Sequence, residues 1–313
     1  MARPDRSVVI PVYQEVQSVP RLHEALVKAA GAAPGGWEFL FVDDGSRDGT
    51  WEALCALRAA DTRVRAIRFK RNFGQTAAMA CGIEAARGDI IVTMDGDLQN
   101  DPADIPRLLA KLDEGYDVAC GWRYQRQDKL WARKVPSVVA NRLIGWLTGV
   151  RLHDYGCSLK AYRAASIKQT PLYAQFHRFI PAMATLTGAL IAEVQVTHHA
   201  RRFGKTKYTI SRTWRVGLDM LTVALLLKFA AKPLRLFGAL ALACAAAAAV
   251  CVVRSWEWYV GPYHTIPQVL PGIAVLSAWL AGHFFFVGLT AELCLATAHA
   301  RPEALVAAAT GDR

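Results

Sequence analysis

Short, unbroken apolar runs set the rhythm of the first 120 residues. Residues 7–12, 37–42, 64–69, 90–94 and 116–120 are mainly apolar, and turn residues follow them. Runs of this length without alternation predict strands buried on both faces. Between them, apolar positions recur at helical spacing. Ser18-Val19-Pro20 reads as a helix start, with Ser18 as the cap and Leu22, Ala25, Leu26 and Ala29 on one face. Residues 48–60, 75–87 (stopped by Gly88) and 102–113 read as three further helices. This alternation of strand and helix predicts an α/β domain with a mainly parallel sheet covered on both faces.

Beyond residue 121 the pattern loosens. Residues 121–150 are basic and partly helical, 176–181 open another helix, 191–197 read as a strand, and 198–208 form a basic loop. Residues 216–230 carry few charges, as in a helix lying along a membrane surface. Residues 236–253 and 266–291 then run 18 and 26 positions without a formal charge, each long enough to span a bilayer. Trp256, Trp258, Tyr259 and Tyr263 lie between them as an interfacial belt. Lys228, Lys232 and Arg235 flank the first stretch and Arg301 follows the second, against Arg254 alone between them. That bias places both termini on the cytoplasmic side. A buried helical hairpin is the competing reading, because the first stretch is Ala-rich. The expected organisation is a soluble domain over 1–210, a juxtamembrane helix over 211–233, a two-helix hairpin over 234–300 and a tail over 301–313.

Charge sharpens this picture. Of the 313 residues, Lys and Arg exceed Asp and Glu by 11, and the excess is concentrated. Residues 121–163 hold nine basic and two acidic side chains, and residues 201–235 nine and one. Such stretches suit phosphate groups, anionic lipid or nucleic acid, although solvated helix faces also explain basic residues. The seven cysteines are scattered with no Cys-x-x-Cys pair, so neither a disulfide framework nor a zinc site is expected, and a reducing compartment fits. Val8-Val9-Ile10 is too short an apolar region for a signal peptide.

The candidate chemistry lies where the fourth apolar run stops, at Asp95-Gly96-Asp97-Leu98-Gln99. In open α/β sheets ligands bind beyond the carboxyl ends of the strands. Two carboxylates at such an edge can share one hard cation, completed by water and substrate phosphates. A bare Asp-x-Asp also fits a solvated turn before a helix. Pro11-Val12-Tyr13-Gln14-Glu15 and Asp43–Thr50 follow the first and second runs and should meet it there. Neither Gly-x-Gly-x-x-Gly nor a Walker loop is present, so acidic loops with a metal ion are the economical way to hold a diphosphate.

Taken together, Asp43–Thr50, Arg71-Asn72-Phe73-Gly74, Asp95–Asn100, Asp154–Arg163, Phe176–Pro181 and His198–Tyr208 resemble family-2 glycosyltransferases of the inverting GT-A fold. Within that family the match is to polyprenyl-phosphate sugar transferases, over roughly residues 7–300. Gln14 stands where the family usually has Asn and Gly96 where Ala is common, and neither change removes a charged ligand. The Gln-x-x-Arg-Trp signature of processive synthases is missing. The resemblance implies transfer of a sugar from a UDP- or GDP-sugar to a polyprenyl phosphate. It implies that Pro11, Tyr13, Glu15, Val42, Asp44, Asp95 and Arg123 bind the nucleotide, and that Asp95, Asp97 and Gln99 hold Mg²⁺ or Mn²⁺. Arg123, Arg133, Ser137, Arg201 and Lys207 would meet the acceptor phosphate or the donor diphosphate. Asp97, Asp154, Arg133, Arg201 and Lys207 form the implied catalytic set, in which Asp154 reads either as a base or as a turn residue. Attraction to the membrane surface is the other reading of the basic residues. The resemblance also implies a lipid bilayer as partner, a cytoplasm-facing catalytic domain on the inner membrane, and no nucleic acid; it leaves a second copy of the chain open as a partner. Two rival classes remain: a nucleic-acid-binding protein, and a membrane scaffold that binds nucleotide sugar without catalysis.

Overall fold

The computed structural model describes residues 3–124, 145, 149–150, 152–168, 180–185, 188–200, 229, 232–261 and 269–297. Two compact units divide the chain, 1–224 and 225–313.

The first unit is built on a seven-stranded sheet of order β3-β2-β1-β4-β6-β5-β7. The strands are β1 (Arg6–Val12), β2 (Trp37–Asp43), β3 (Val64–Arg68), β4 (Ile90–Thr93), β5 (Val118–Trp122), β6 (Lys160–Arg163) and β7 (Ile191–Gln195). All seven residues of β2 and six of the seven in β1 are buried, which is why these runs show no alternation. β1 pairs in parallel with β2 on one side and β4 on the other. The strand order therefore reverses at β1 and β4, and a crevice opens beyond their carboxyl ends.

Helices α1 (Ser18–Ala32), α2 (Thr50–Ala60), α3 (Gln75–Ala85) and α4 (Ile105–Asp113, after a 3-10 turn at Pro102–Asp104) cover this sheet. Val19, Leu22 and Leu26 of α1 and Leu108, Leu109 and Leu112 of α4 enter one core with Val8, Ile10, Phe39 and Phe41. Two short helices follow, α5 (Ala164–Ile167) and α6 (Ile180–Ala184).

Several boundaries differ from expectation, each for a local reason. Ser18 is the first helical residue and not the cap; its hydroxyl donates to Glu15 Oε2 at 2.7 Å. Asp48 stays outside α2, its carboxylate accepting the Thr50 amide at 3.2 Å and hydroxyl at 2.6 Å. Gly88 does not stop α3, which ends at Ala85. A Cβ at Gly88 would lie 2.6 Å from Ser7 N, so glycine lets the chain press against β1. The fifth run and the 191–197 segment pair in parallel as β5 (Val118–Trp122) and β7 (Ile191–Gln195). One strand is not announced by any apolar run: β6 runs antiparallel between β4 and β5. The basic region over 121–150 and the amphipathic stretch over 216–230 fall almost wholly outside the described residues.

The second unit holds α7 (Pro233–Val260) and α8 (Val269–Thr297), packed as a pair. At 1.5 Å per residue, 28 and 29 residues give about 42 Å each, ample for a hydrocarbon core of about 30 Å. Their outward side chains are apolar and exposed, among them Val252, Trp256, Val275 and Phe286. Trp256, Trp258 and Tyr259 belong to the last turns of α7, and so does Arg254, which pairs with Glu257 at 3.0 Å. The helices meet closely at Gly288, where a Cβ would lie 2.8 Å from Phe237 Cβ. One turn further along α8, Glu292 Oε2 accepts the Leu234 amide of the first turn of α7 at 3.2 Å. A helix N-terminus otherwise leaves such amides without an intrahelical partner.

Candidate active site

The loops after β1, β2 and β4 interlock at the crevice. Asp44 N donates to Val12 O at 2.9 Å, continuing the parallel ladder past the strand ends. Gln14 N donates to Ser46 Oγ at 2.8 Å and Glu15 N to Thr50 Oγ1 at 3.0 Å, so the first loop is stitched to the second. Asp43 Oδ1 in turn accepts the Ser46 amide at 2.9 Å. Pro11 and Val42 face each other in register, both buried, beneath these loops.

Asp44 is only 3% exposed. Its carboxylate accepts the backbone amides of Phe73 at 2.7 Å and Gly74 at 2.9 Å, which fixes the segment leading into α3. Gly45 makes this possible: its φ is +75°, and a Cβ there would lie 2.6 Å from the Arg71 carbonyl carbon.

At the end of β4, Asp95 Oδ1 accepts Gln75 Nε2 at 2.6 Å. Asp97 is buried, and its Oδ1 accepts the Gln99 amide at 3.2 Å. Between them Gly96 packs under β1, where a Cβ would lie 2.6 Å from Val12 Cγ1. Leu98 (φ +60°) and Gln14 (φ +55°) are the non-glycine residues with positive φ among the described residues, and both sit at this site. Such conformations cost of order 1 kcal/mol or more and persist where the surroundings impose them.

Beyond Gln99 the metal-type loop is tied to two further segments. Asn100 Nδ2 donates to Ser158 Oγ at 2.8 Å, and Thr93 Oγ1 donates to Ser158 O at 2.9 Å. His199 N donates to Gln99 O at 2.8 Å, and Asn100 forms an antiparallel bridge with His198. The segment that runs on into Arg201 thus starts beside Gln99.

Asp154 is held by Arg123, with Nε to Oδ2 at 2.6 Å and Nη2 to Oδ1 at 2.9 Å, and by the Gly156 amide at 3.0 Å. Burial by itself would lower the Arg123 pKa, but the paired carboxylate outweighs it and the pKa rises, so the guanidinium stays charged. Each charge largely satisfies the other.

The structure therefore carries Tyr13, Glu15, Asp44, Asp95, Asp97 and Gln99 on the loops after β1, β2 and β4, with Pro11 and Val42 in the strands beneath them, and pairs Arg123 with Asp154. Arg133, Ser137, Arg201 and Lys207 lie outside the described residues. Gln75 was not singled out from sequence, and Asn100 and Ser158 entered only within longer motifs, because their partners are 20 to 58 residues away. Among the described residues no group of three or more His, Cys, Asp or Glu side chains is placed to hold a metal. Two carboxylates and an amide within one tight turn are nevertheless hard oxygen donors, and Mg²⁺ or Mn²⁺ bound beside phosphates commonly takes no more than one or two carboxylates from the protein.

The sequence profile described as Glycosyl transferase family 2 matches residues 7–170. Dodecaprenyl-phosphate galacturonate synthase of Rhizobium johnstonii is 43% identical over 298 residues, covering 93% of this chain and 88% of that protein. Undecaprenyl-phosphate 4-deoxy-4-formamido-L-arabinose transferase of Salmonella choleraesuis is 37% identical over 289 residues, covering 91% and 86%. Among solved structures, glucosyl-3-phosphoglycerate synthase from Mycobacterium tuberculosis, in complex with Mn²⁺, UDP and glucosyl-3-phosphoglycerate, is similar with a TM-score of 0.54 at 19% identity, covering 71% of this chain and 79% of that one. The same enzyme with Mg²⁺ and UDP gives 0.53.

Proposed function

The chain belongs to glycosyl transferase family 2 and carries its GT-A fold, and on that premise we propose the reaction it performs: transfer of a sugar from a nucleotide-diphosphate donor to a polyprenyl phosphate. The product is a lipid-linked sugar. The observation that carries this reading is the match to polyprenyl-phosphate sugar transferases along nine-tenths of the chain, the two long apolar helices included.

In this reading Pro11, Tyr13, Glu15, Val42 and Asp44 line the nucleoside, while Asp95, Asp97 and Gln99 hold Mg²⁺ or Mn²⁺ against the diphosphate. When bound, the ion supplies Lewis-acid neutralisation of the leaving diphosphate. Gln75 keeps Asp95 oriented, and the left-handed turn at Leu98 presents Asp97 and Gln99 from one short segment. Arg123 shapes the edge of the site through Asp154, whose oxygens are committed to Arg123 and Gly156; Asp154 then acts as a positioning residue more naturally than as a base. A strong base is not needed, because a lipid phosphate is already an anion near neutral pH. The demand is instead to bring two polyanions together, and Arg133, Ser137, Arg201 and Lys207 are assigned to the acceptor phosphate. In-line attack inverts the anomeric centre.

Residues 1–210 form the catalytic domain, 211–233 a juxtamembrane helix, 234–300 the transmembrane pair and 301–313 a tail. The protein resides in the cytoplasmic membrane with its site facing the cytoplasm. The test is to supply the purified protein with UDP- and GDP-sugars, Mg²⁺ and undecaprenyl phosphate. The expected result is an inverted lipid-linked sugar and free nucleoside diphosphate, abolished by Asp97→Asn with the fold retained. Donor binding without turnover would leave a scaffold, and full activity of Asp97→Asn in metal-depleted buffer would remove the metal assignment.

A further inference from the structure

A buried lysine beside the site forms no ion pair among the described residues. Lys160 is 2% exposed, and its ammonium donates to one neutral acceptor, Tyr155 O, at 3.2 Å. In β6 it lies opposite Thr93 of β4 and Cys120 of β5. Neither Cys120 nor Cys157 balances its charge, because burial pushes those thiols up to about 12 and about 11 and keeps them neutral. Arg123 and Asp154 nearby neutralise each other. Burial consequently depresses the Lys160 pKa. An ammonium taken out of water without a counter-ion is costly unless a ligand completes it.

Two residues along the same strand, and so on the same face, is Tyr162. It is 1% exposed, and its hydroxyl lies beside Thr93 without completing a well-formed hydrogen bond among the described residues. Lys160 and Tyr162 line one small cavity with Thr93, Met79, Gln75 and Asp95. One wall of that cavity is therefore the carboxylate assigned to the metal and donor diphosphate. The same lining holds two buried donors with hydrogen-bonding capacity to spare.

We propose that Lys160 and Tyr162 form a small anion-reading subsite for a carboxylate on the transferred sugar, so that the donor is a nucleotide-linked uronic acid. The proposal rests on the sugar-transfer reading above and specifies its donor. A carboxylate fits the pair because its two oxygens accept from an ammonium and a hydroxyl together. A neutral sugar leaves the ammonium with its single neutral acceptor and no counter-charge, which is how polar sites reject analogues that lack the matching group. A metal ion held at Asp95 would offset that carboxylate's repulsion of an incoming uronate.

The experiment compares UDP-galacturonic acid with UDP-galactose, and UDP-glucuronic acid with UDP-glucose, using Mg²⁺ and undecaprenyl phosphate in detergent. The wild type should prefer a uronic donor over its neutral counterpart in kcat/KM by roughly 10²-fold or more. Lys160→Met, which matches the side chain's bulk, should erase that preference while leaving calorimetric affinity for UDP with Mg²⁺ unchanged. Lys160→Arg should retain part of the preference, and circular dichroism checks that both variants fold. Equal or better use of neutral sugars by the wild type overturns the proposal whatever the variants do. A parallel loss of UDP affinity in Lys160→Met also overturns it, because the anion read is then the diphosphate. No transfer from any nucleotide sugar to prenyl phosphate would instead defeat the underlying reading of the reaction.

Discussion

Gln75 and Asp95 join the start of α3 to the end of β4 through one hydrogen bond of 2.6 Å. Asp95 thereby faces the crevice with one oxygen already fixed, which reduces what must be ordered when a donor arrives. Gln75→Leu should weaken binding of Mn²⁺ with UDP by about 10-fold, the lower end for loss of a hydrogen bond to a charged group. Gln75→Glu should be worse, because it sets two carboxylates side by side. Titration calorimetry measures both; unchanged affinity in the pair of variants would show that Asp95 needs no such support.

Arg123 and Asp154 are the buried ion pair of the site, their side chains 13% and 10% exposed. Removing one partner leaves the other charged and unpaired. Arg123→Met is expected to destabilise the protein by about 3–5 kcal/mol, and Arg123→Met with Asp154→Leu by clearly less. Denaturant unfolding of these two variants and of Asp154→Leu alone, in detergent, reads this coupling. Simple additivity would mean that the two charges do not depend on each other.

Arg201 and Lys207 are assigned to the acceptor phosphate, and attraction to anionic lipid is the rival account. Loss of a contact made in the transition state costs about 2–4 kcal/mol, or roughly 30- to 1,000-fold in rate. Surface attraction is worth about 1 kcal/mol per basic residue and vanishes in neutral detergent. With a short, soluble prenyl phosphate in neutral detergent, Arg201→Ala and Lys207→Ala should therefore stay severely slow. Wild-type rates under those conditions would make these residues surface anchors.

Both ends of the helix pair are assigned to the cytoplasm. A reporter fused after Arg313 should read cytoplasmic, and one inserted near Gly261 extracytoplasmic. If both read cytoplasmic, the pair does not span.

The parallel half of the sheet was legible because β1, β2 and β4 are buried on both faces and so read as unbroken apolar runs. β6 escaped for the opposite reason. It contains Lys160 and Arg163, and a buried lysine contradicts any pattern based on hydrophobicity. Asp95 and Asp97 were legible because strand and turn are contiguous in the chain. Gln75 on Asp95, and Ser158 on Asn100, are products of tertiary folding with no local spacing to betray them. Ser18 misled as a cap because Glu15, three residues earlier, draws its hydroxyl away.

The contact between Glu292 and Leu234 has a consequence for biogenesis. The carboxylate that completes the first turn of α7 is 58 residues further along the chain, almost at the end of α8. While α7 alone has emerged from the ribosome, its leading amide and the groove that receives Gly288 are both incomplete. In lipid, where an unsatisfied backbone group is expensive, neither helix is finished without the other. The two are therefore expected to enter the bilayer as a hairpin, and a chain truncated before Glu292 to be recognised by quality-control proteases.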